Sequence, residues 1–444
     1  MTTYSAVVTT GIYCRPGCGA RPLTQNVRVF DHPAAAEAAG FRACHRCRPY
    51  RLVGPVPATT PDLVCAAVQL IIDGALDDGG TEASLARQVG VSARHLRRLF
   101  LRHLGASADQ LARSRRAHFA RRLLDDTDLS ILDIAFASGF GSLRQFNRTM
   151  QEAFRASPTD LRSRRRQADR LVADGGLALR LPTVPGYDWD AVRTFLAARR
   201  MPGVEAVDGG TYRRTITVAG APGLLEVSPG DQESLLVHVH LPYWEGLIHV
   251  VNRVAQLLGT ERDESAGVAA LSGDPVLGPL VTARPGLAVP GVWNPVEAGV
   301  WAILSGRPGR DRLLGALVAE LGTPVPGLPG GLTHTLPAAP TITYDSLAAI
   351  GFPATEAGAI VRLAAALADG DSRTAGGSYL AFRMGRRDAF PREEPSLRAA
   401  LTELGLAGPA GAWQPWLALA AAHLMAYGDR LAPAGRLVTG ALAP

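Results

Sequence analysis

Four of the five cysteines fall into two close pairs. Cys14 and Cys18 form a C-x3-C clip, and Cys44 and Cys47 form a C-x2-C clip after 25 intervening residues. Thiolates in two short clips are the usual way to close a tetrahedral Zn2+ site. No signal-peptide pattern opens the chain and no apolar run is long enough to cross a bilayer, so a cytoplasmic protein without membrane contact is expected. In that reducing compartment metal ligation is favoured over disulfides. Such a centre has two possible chemistries. It can be a closed staple for a small domain, or its sulfurs, kept deprotonated by the metal, can act as nucleophiles. Cys65 sits on the apolar side of a helical stretch, where a buried structural thiol is expected.

The elements that must carry these residues follow from periodicity. A chain of 444 residues is expected to hold two to four domains. Residues 1–52 read as short strands and turns around the cysteines, followed by the Pro-rich connector VGPVPATTP. From 62 to 167 apolar residues recur at helical spacing with serines at helix starts. From 179 to 286 the period shifts toward two, in LALRLPTV, TYRRTITVAG and SLLVHVHL, with one helical stretch at DWDAVRTFLAARR, giving an antiparallel α+β unit. From 287 to 440 helical periodicity returns between Gly/Pro-rich loops. The expected fold is thus a multidomain α+β chain with a zinc-stapled α/β domain, an all-α domain, an α+β domain and a second all-α domain.

All 46 basic Lys-or-Arg positions are Arg, and the net charge is +6. Codon bias toward Ala, Gly, Pro and Arg explains much of this, so only the distribution of charge is informative. Between Ser92 and Arg170 stand 17 Arg against 8 acidic residues, a net of +9 that exceeds the charge of the whole chain. Double-stranded DNA is the expected partner of that stretch. Within it, ASLARQVGVSARHLRRLFLRHLG has core spacing, Gly90 at a turn and Ser92 as a helix cap. Arg94, His95, Arg97 and Arg98 then lie on or near the outer face of the second helix. In SILDIAFASGFGSLRQFNRTMQEAF, Gly139 and Ser142 repeat the pattern and turn Arg144, Gln145 and Arg148 outward.

The segments TTGIYCRPGCGAR and GFRACHRCRPY closely resemble the N-terminal domain of the Ada methyltransferase, which repairs methylphosphotriesters in DNA. The resemblance implies that Cys14 is the methyl acceptor, that Cys18, Cys44 and Cys47 are its fellow Zn2+ ligands, and that Arg21 stands where it can contact phosphate. Family members usually begin with an extra strand that MTTYSAVV is expected largely to lack. The two helix-turn-helix units, ending in FRASPTDLR, resemble the AraC-type regulator domain, which implies binding to promoter DNA and, for an activator, RNA polymerase as a protein partner.

The segments YDWDAVRTFLAAR, ARPGLAVPG, VEAGVWAILSG and WQPW resemble the alkyladenine glycosylase AlkA over about Arg180 to Leu437. Such enzymes flip a damaged base into an aromatic cleft and use one carboxylate to stabilise the departing sugar. The phosphate-gripping hairpin normally found before SYLAFRMG is expected to be deleted, because ADGDSRTAGG, with Gly376 and Gly377, leaves no room for it. The family's F-P-x-x-D reads Phe390-Pro391-Arg392-Glu393-Glu394, so Glu394 stands in the place of the catalytic Asp. Trp293, Tyr379, Trp413 and Trp416 are candidates for a base pocket, although aromatics at helical spacing are more often core. These departures imply weak or lost excision. The alternative is a bifunctional repair protein that also removes 3-methyladenine with Glu394 as its carboxylate.

Overall fold

The computed structural model describes residues 3–51, 60–77, 79–171, 176–231, 233–368 and 377–431. Most of the Pro-rich connector, and the segment 369–376 on which the expected hairpin deletion rests, lie outside the described residues. The chain forms two compact units. The first comprises Met1–Pro185, Thr217–Gln256 and Thr260–Asp263, and the second Gly186–Ile216, Leu257–Gly259 and Glu264–Pro444.

The first unit opens with a four-stranded sheet of β1 (Tyr4–Val7), β2 (Ile12–Cys14), β3 (Val27–Phe30) and β4 (Arg42–Ala43), in the order β3-β1-β2-β4. The opening residues form β1, in which Tyr4 and Ala6 alternate inward while β2 and β3 pair on either side. Between β3 and β4 runs α1 (Pro33–Ala38), which starts where His32 Nδ1 accepts the Ala34 N–H and Pro33 needs no donor.

Seven helices follow: α2 (Asp62–Ile72), α3 (Glu82–Gln88), α4 (Ala93–Leu104), α5 (Ala108–Asp126), α6 (Ile131–Ala137), α7 (Leu143–Phe154) and α8 (Pro158–Ser163). Residues Leu85, Leu96, Phe100, Leu104 and Leu111 share one core with Val64, Val68 and Ile72 of α2 and with Ala34 of α1. Gly105 ends α4 with φ +67°, and a Cβ there would come 2.8 Å from Ala35 Cβ, so only glycine lets α1 press against this corner. Cys65 in α2 is half-buried rather than buried, with its thiol directed to Thr60 O at 3.7 Å.

The same unit continues into an antiparallel set in which Leu177–Pro182 and Ala221–Pro229 flank Ser234–His240. Leu235, Val237 and Val239 alternate into its core. Helix Leu247–Leu258 follows.

The second unit holds helix Trp189–Ala198, the antiparallel pair Glu205–Asp208 with Thr211–Val218, and the C-terminal helices. Its core gathers Met201, Trp301, Leu314, Leu317, Ile360, Leu363 and Tyr379. Arg214 is buried there between Glu297 at 2.6 Å and Glu205 at 3.3 Å. Among the described residues, no helix is long and apolar enough to cross a membrane.

Candidate functional site

The parallel pairing of β2 with β4 sets Tyr13 opposite Ala43, so the next residue of each strand, Cys14 and Cys44, emerge side by side. The Cys44 N–H donates to Tyr13 O at 3.0 Å and fixes that exit. The turn after each strand returns the second ligand of its clip. Cys18 N–H donates to Arg15 O around Gly17, whose φ is +72°, and Arg48 N–H closes on Cys44 O. All four Sγ atoms consequently lie within 4.8 Å of one another. Tetrahedral Zn2+ with bonds of about 2.3 Å needs sulfurs about 3.8 Å apart, so the donor set fits that ion.

Cys14 is buried, at 6% exposure, and the other three ligands are half-buried. Within the cluster the Cys14 thiol donates to the Cys47 sulfur. That bond, burial and the neighbouring sulfurs hold Cys14 far above the usual thiol range, while the same bond brings Cys47 down to about 5. Arg15, Arg46 and Arg48 flank the ligands in sequence; Arg46 is exposed, and so is Arg21, three residues beyond Cys18. His45, between the ligands, is pushed down to about 4 by burial and then by Arg42, Arg121 and other arginines.

The zinc-binding segment is fastened to α5 and to Asp169 by charged hydrogen bonds. Tyr50 donates to Asp125 at 2.9 Å, Arg51 reaches Asp126 at 2.8 Å, and Arg48 reaches Asp169 at 2.6 Å. Asp125 and Asp126 are fully buried. Tyr13, next to Cys14, donates to Glu37 Oε1 at 2.7 Å, and His118 of α5 approaches the same oxygen at 2.6 Å. The doublet D-D inside a helix and the run R-P-Y-R are the traces of this network in the sequence.

In the helix-turn-helix pair, Ser92 Oγ accepts the His95 N–H and Ser142 Oγ accepts the Gln145 N–H, each at 3.2 Å. Gly90 and Gly139 take φ of +75° and +77° at the turns. Arg94, Arg97 and Arg98 are exposed on α4, whereas His95 is half-buried and bonded to Arg98 Nη2 at 2.9 Å. On α7, Arg144 is exposed, Gln145 is half-buried, and Arg148 is exposed with Glu152 one turn on at 3.7 Å.

In the second unit Glu394 is 2% exposed. Its Oε1 receives Arg199 at 2.6 Å and its Oε2 caps helix Pro395–Glu403 by accepting the Leu397 N–H at 2.8 Å, so both oxygens are engaged. Asp429 takes the other nitrogen of Arg199 at 3.0 Å. The candidate base-pocket aromatics are mostly core. Tyr379 stacks on Trp301 with centroids 5.0 Å apart, Trp413 donates to Asp274 at 2.7 Å, and Trp293 lies under Arg214. Trp416 is half-buried and packs against Gly267.

Three family models match the chain: the metal binding domain of Ada over residues 2–50, a helix-turn-helix domain over 85–164, and the AlkA N-terminal domain over 178–294. The chain is 35% identical to the probable bifunctional transcriptional activator/DNA repair enzyme AlkA of Mycobacterium tuberculosis, over 94% of this chain and 91% of that protein. It is 34% identical to the bifunctional transcriptional activator/DNA repair enzyme Ada of Escherichia coli over 33% of this chain and 41% of that one. It is 31% identical to DNA-3-methyladenine glycosylase 2 of the same species over 42% of this chain and 66% of that one. The four-thiol cluster is therefore the zinc centre of an Ada-type metal-binding domain. With that domain leading, and with similarity maintained along nearly its whole length, the chain belongs to the family of bifunctional Ada/AlkA transcriptional activator and DNA repair proteins.

Proposed function

We propose that Cys14 irreversibly accepts a methyl group from methylphosphotriesters in DNA, and that the methylated protein then binds promoter DNA more tightly and supports transcription by RNA polymerase. The observation that carries this reading is the convergence of Cys14, Cys18, Cys44 and Cys47 to within 4.8 Å, on a segment that also carries the exposed arginines Arg21 and Arg46. Bound Zn2+ supplies one property, which is to keep the sulfurs deprotonated near neutral pH. Cys14 Sγ attacks the methyl carbon in line; the S–C bond forms as the C–O bond breaks, and the electron pair leaves on the phosphate oxygen as an ordinary diester. No proton has to move, and the thioether is permanent. Arg21, exposed and in no ion pair among the described residues, holds the phosphate.

In this reading the segments 1–52, 62–167, 179–286 and 287–440 are the functional modules. The second reads DNA through Arg94, His95, Arg97 and Arg98 on one helix and Arg144, Gln145 and Arg148, behind the cap Ser142, on the other. The AlkA-like part excises alkylated purines weakly or not at all. Supporting this, Glu394 is buried with both oxygens committed to Arg199 and a helix end, leaving none to face a sugar. The deciding experiment is incubation with DNA carrying a labelled methylphosphotriester, followed by mapping the label. Label on Cys14 is expected, and label on Cys44 or Cys47 overturns the assignment.

A further inference from the structure

The first unit contains a cleft of about 150 Å³ that neither the zinc centre nor the DNA-reading helices use. Its walls come from three stretches of sequence: His32 and Tyr50 beside the zinc-binding sheet, α2 and α5, and the segments around Leu181 and Val251. Val68, Ile72, Leu111 and Ile248 make much of it apolar, while the carboxylate of Glu261 and three basic groups, Arg115, His118 and Arg122, bring charge to it.

Two of those three groups are already answered. Arg115 Nη2 bonds Asn252 at 3.2 Å and Glu261 at 3.3 Å, and His118 rests on Glu37. Arg122 is not. Its Nε is buried with no hydrogen-bond partner, no carboxylate lies within ion-pair distance among the described residues, and its guanidinium rests over the ring of Phe119, 5.2 Å away. The nearby carboxylate Asp126 is taken by Arg51 and Arg180. Burial lowers the Arg122 guanidinium to about 10; attraction from Asp126 and Glu261 opposes this, and repulsion from Arg115 and Arg51 adds to it. Arg122 is half-buried, so its charge is partly withdrawn from water with no carboxylate in ion-pair contact among the described residues, an arrangement that proteins ordinarily relieve by pairing.

We infer that the cleft binds a small monocarboxylate with an apolar body, its carboxylate forked onto Arg122 and its body against Val68, Ile72 and Leu111. A planar guanidinium matches a carboxylate in bidentate fashion. One unneutralised cation among apolar walls fits a single negative charge better than a phosphate dianion. A cavity of roughly 150 Å³ lined by apolar side chains accommodates benzene, so benzoate sets the scale of the ligand. Because the walls come from three stretches, occupancy fastens the zinc-binding sheet, the helical domain and the antiparallel strands of this unit to one another.

The test uses the full-length zinc-loaded protein, titrated calorimetrically with benzoate, with neutral benzamide and with inorganic phosphate. Saturable benzoate binding is expected, with benzamide and phosphate weaker by roughly tenfold or more, as loss of a buried charge pair implies. Arg122→Gln should weaken benzoate by a similar factor while zinc content stays the same. Ala255→Leu, which fills the cleft, should abolish binding through volume alone. Absence of benzoate binding to the wild-type protein, or equal affinity for benzamide, overturns the proposal even if neither variant folds. Phosphate binding more tightly than benzoate overturns the monocarboxylate assignment.

Discussion

Tyr13 and His118 meet on a single oxygen, Glu37 Oε1, at 2.7 and 2.6 Å, which ties the residue beside Cys14 to the long helix that joins the two helix-turn-helix units. Burial raises the Glu37 carboxyl, but His118 and the hydrogen bonds from Tyr13 and Ser114 outweigh it, and the net shift is downward. A carboxyl depressed on folding contributes stability that is present above its ordinary value of 4.5 and is lost as pH falls through its lower folded value. Glu37→Gln should therefore cost about 2 kcal/mol at neutral pH, the range for a hydrogen-bonded charge. The deficit should shrink as the pH drops below the ordinary carboxylate range. Thermal unfolding of both proteins across pH checks this, and a deficit that grows on acidification rules it out.

Removal of single thiols should separate nucleophile from scaffold. Cys14→Ser should abolish methyl uptake, because a serine hydroxyl is a poor nucleophile in its place. Cys18→Ser should chiefly lower zinc content and loosen the N-terminal domain by removing a ligand. Metal analysis and label counting on the same preparations distinguish the two losses. Full methyl uptake by Cys14→Ser would transfer the acceptor role elsewhere.

On the DNA-reading helices, replacing Arg94, Arg97, Arg98, Arg144 or Arg148 singly with Ala should show which of them grip phosphate. Removing an arginine that holds phosphate should weaken binding to all sequences and reduce the salt slope by about 1, whereas removing one that reads a base edge should cost about 1–3 kcal/mol and relax specificity at one position. Affinity measured across a salt series on specific and scrambled duplexes reads both. Unchanged affinity in all five variants would remove this face from the interface.

Methylation of Cys14 converts one thiolate of the centre to a neutral thioether, making it one unit less negative toward the phosphate backbone. Promoter affinity should rise by roughly 5- to 150-fold, the span of ordinary coupling energies, and the gain should diminish with salt. Equal affinities of methylated and unmethylated protein at every salt concentration would leave repair and DNA binding uncoupled.

Glu394→Gln should destabilise the second unit by about 3 kcal/mol, since it leaves the buried Arg199 with Asp429 alone. Release of 3-methyladenine should stay near background in wild type and variant alike. Ordinary glycosylase turnover that vanishes in the variant would instead favour the bifunctional reading.

Features that depend on local spacing are legible in the amino-acid order. Two cysteine clips announce a metal centre because ligand geometry is set over three or four residues. Serine caps and turn glycines mark helix starts such as Ser92 and Ser142, because capping acts within one turn. Alternation in SLLVHVH exposes a strand for the same reason. Other features emerge only when distant parts of the chain fold together. Glu394 pairs with Arg199, 195 positions away, a contact that nothing in the F-P-x-x-E run announces. That Trp413 donates to Asp274 and Tyr379 stacks on Trp301 is likewise decided only by the folded chain. The burial of Asp125 and Asp126 against Tyr50 and Arg51, and the lack of an ion pair at Arg122 among the described residues, likewise arise only in the assembled unit. Charge and burial are properties of the assembled environment, and no spacing rule carries them across a hundred residues.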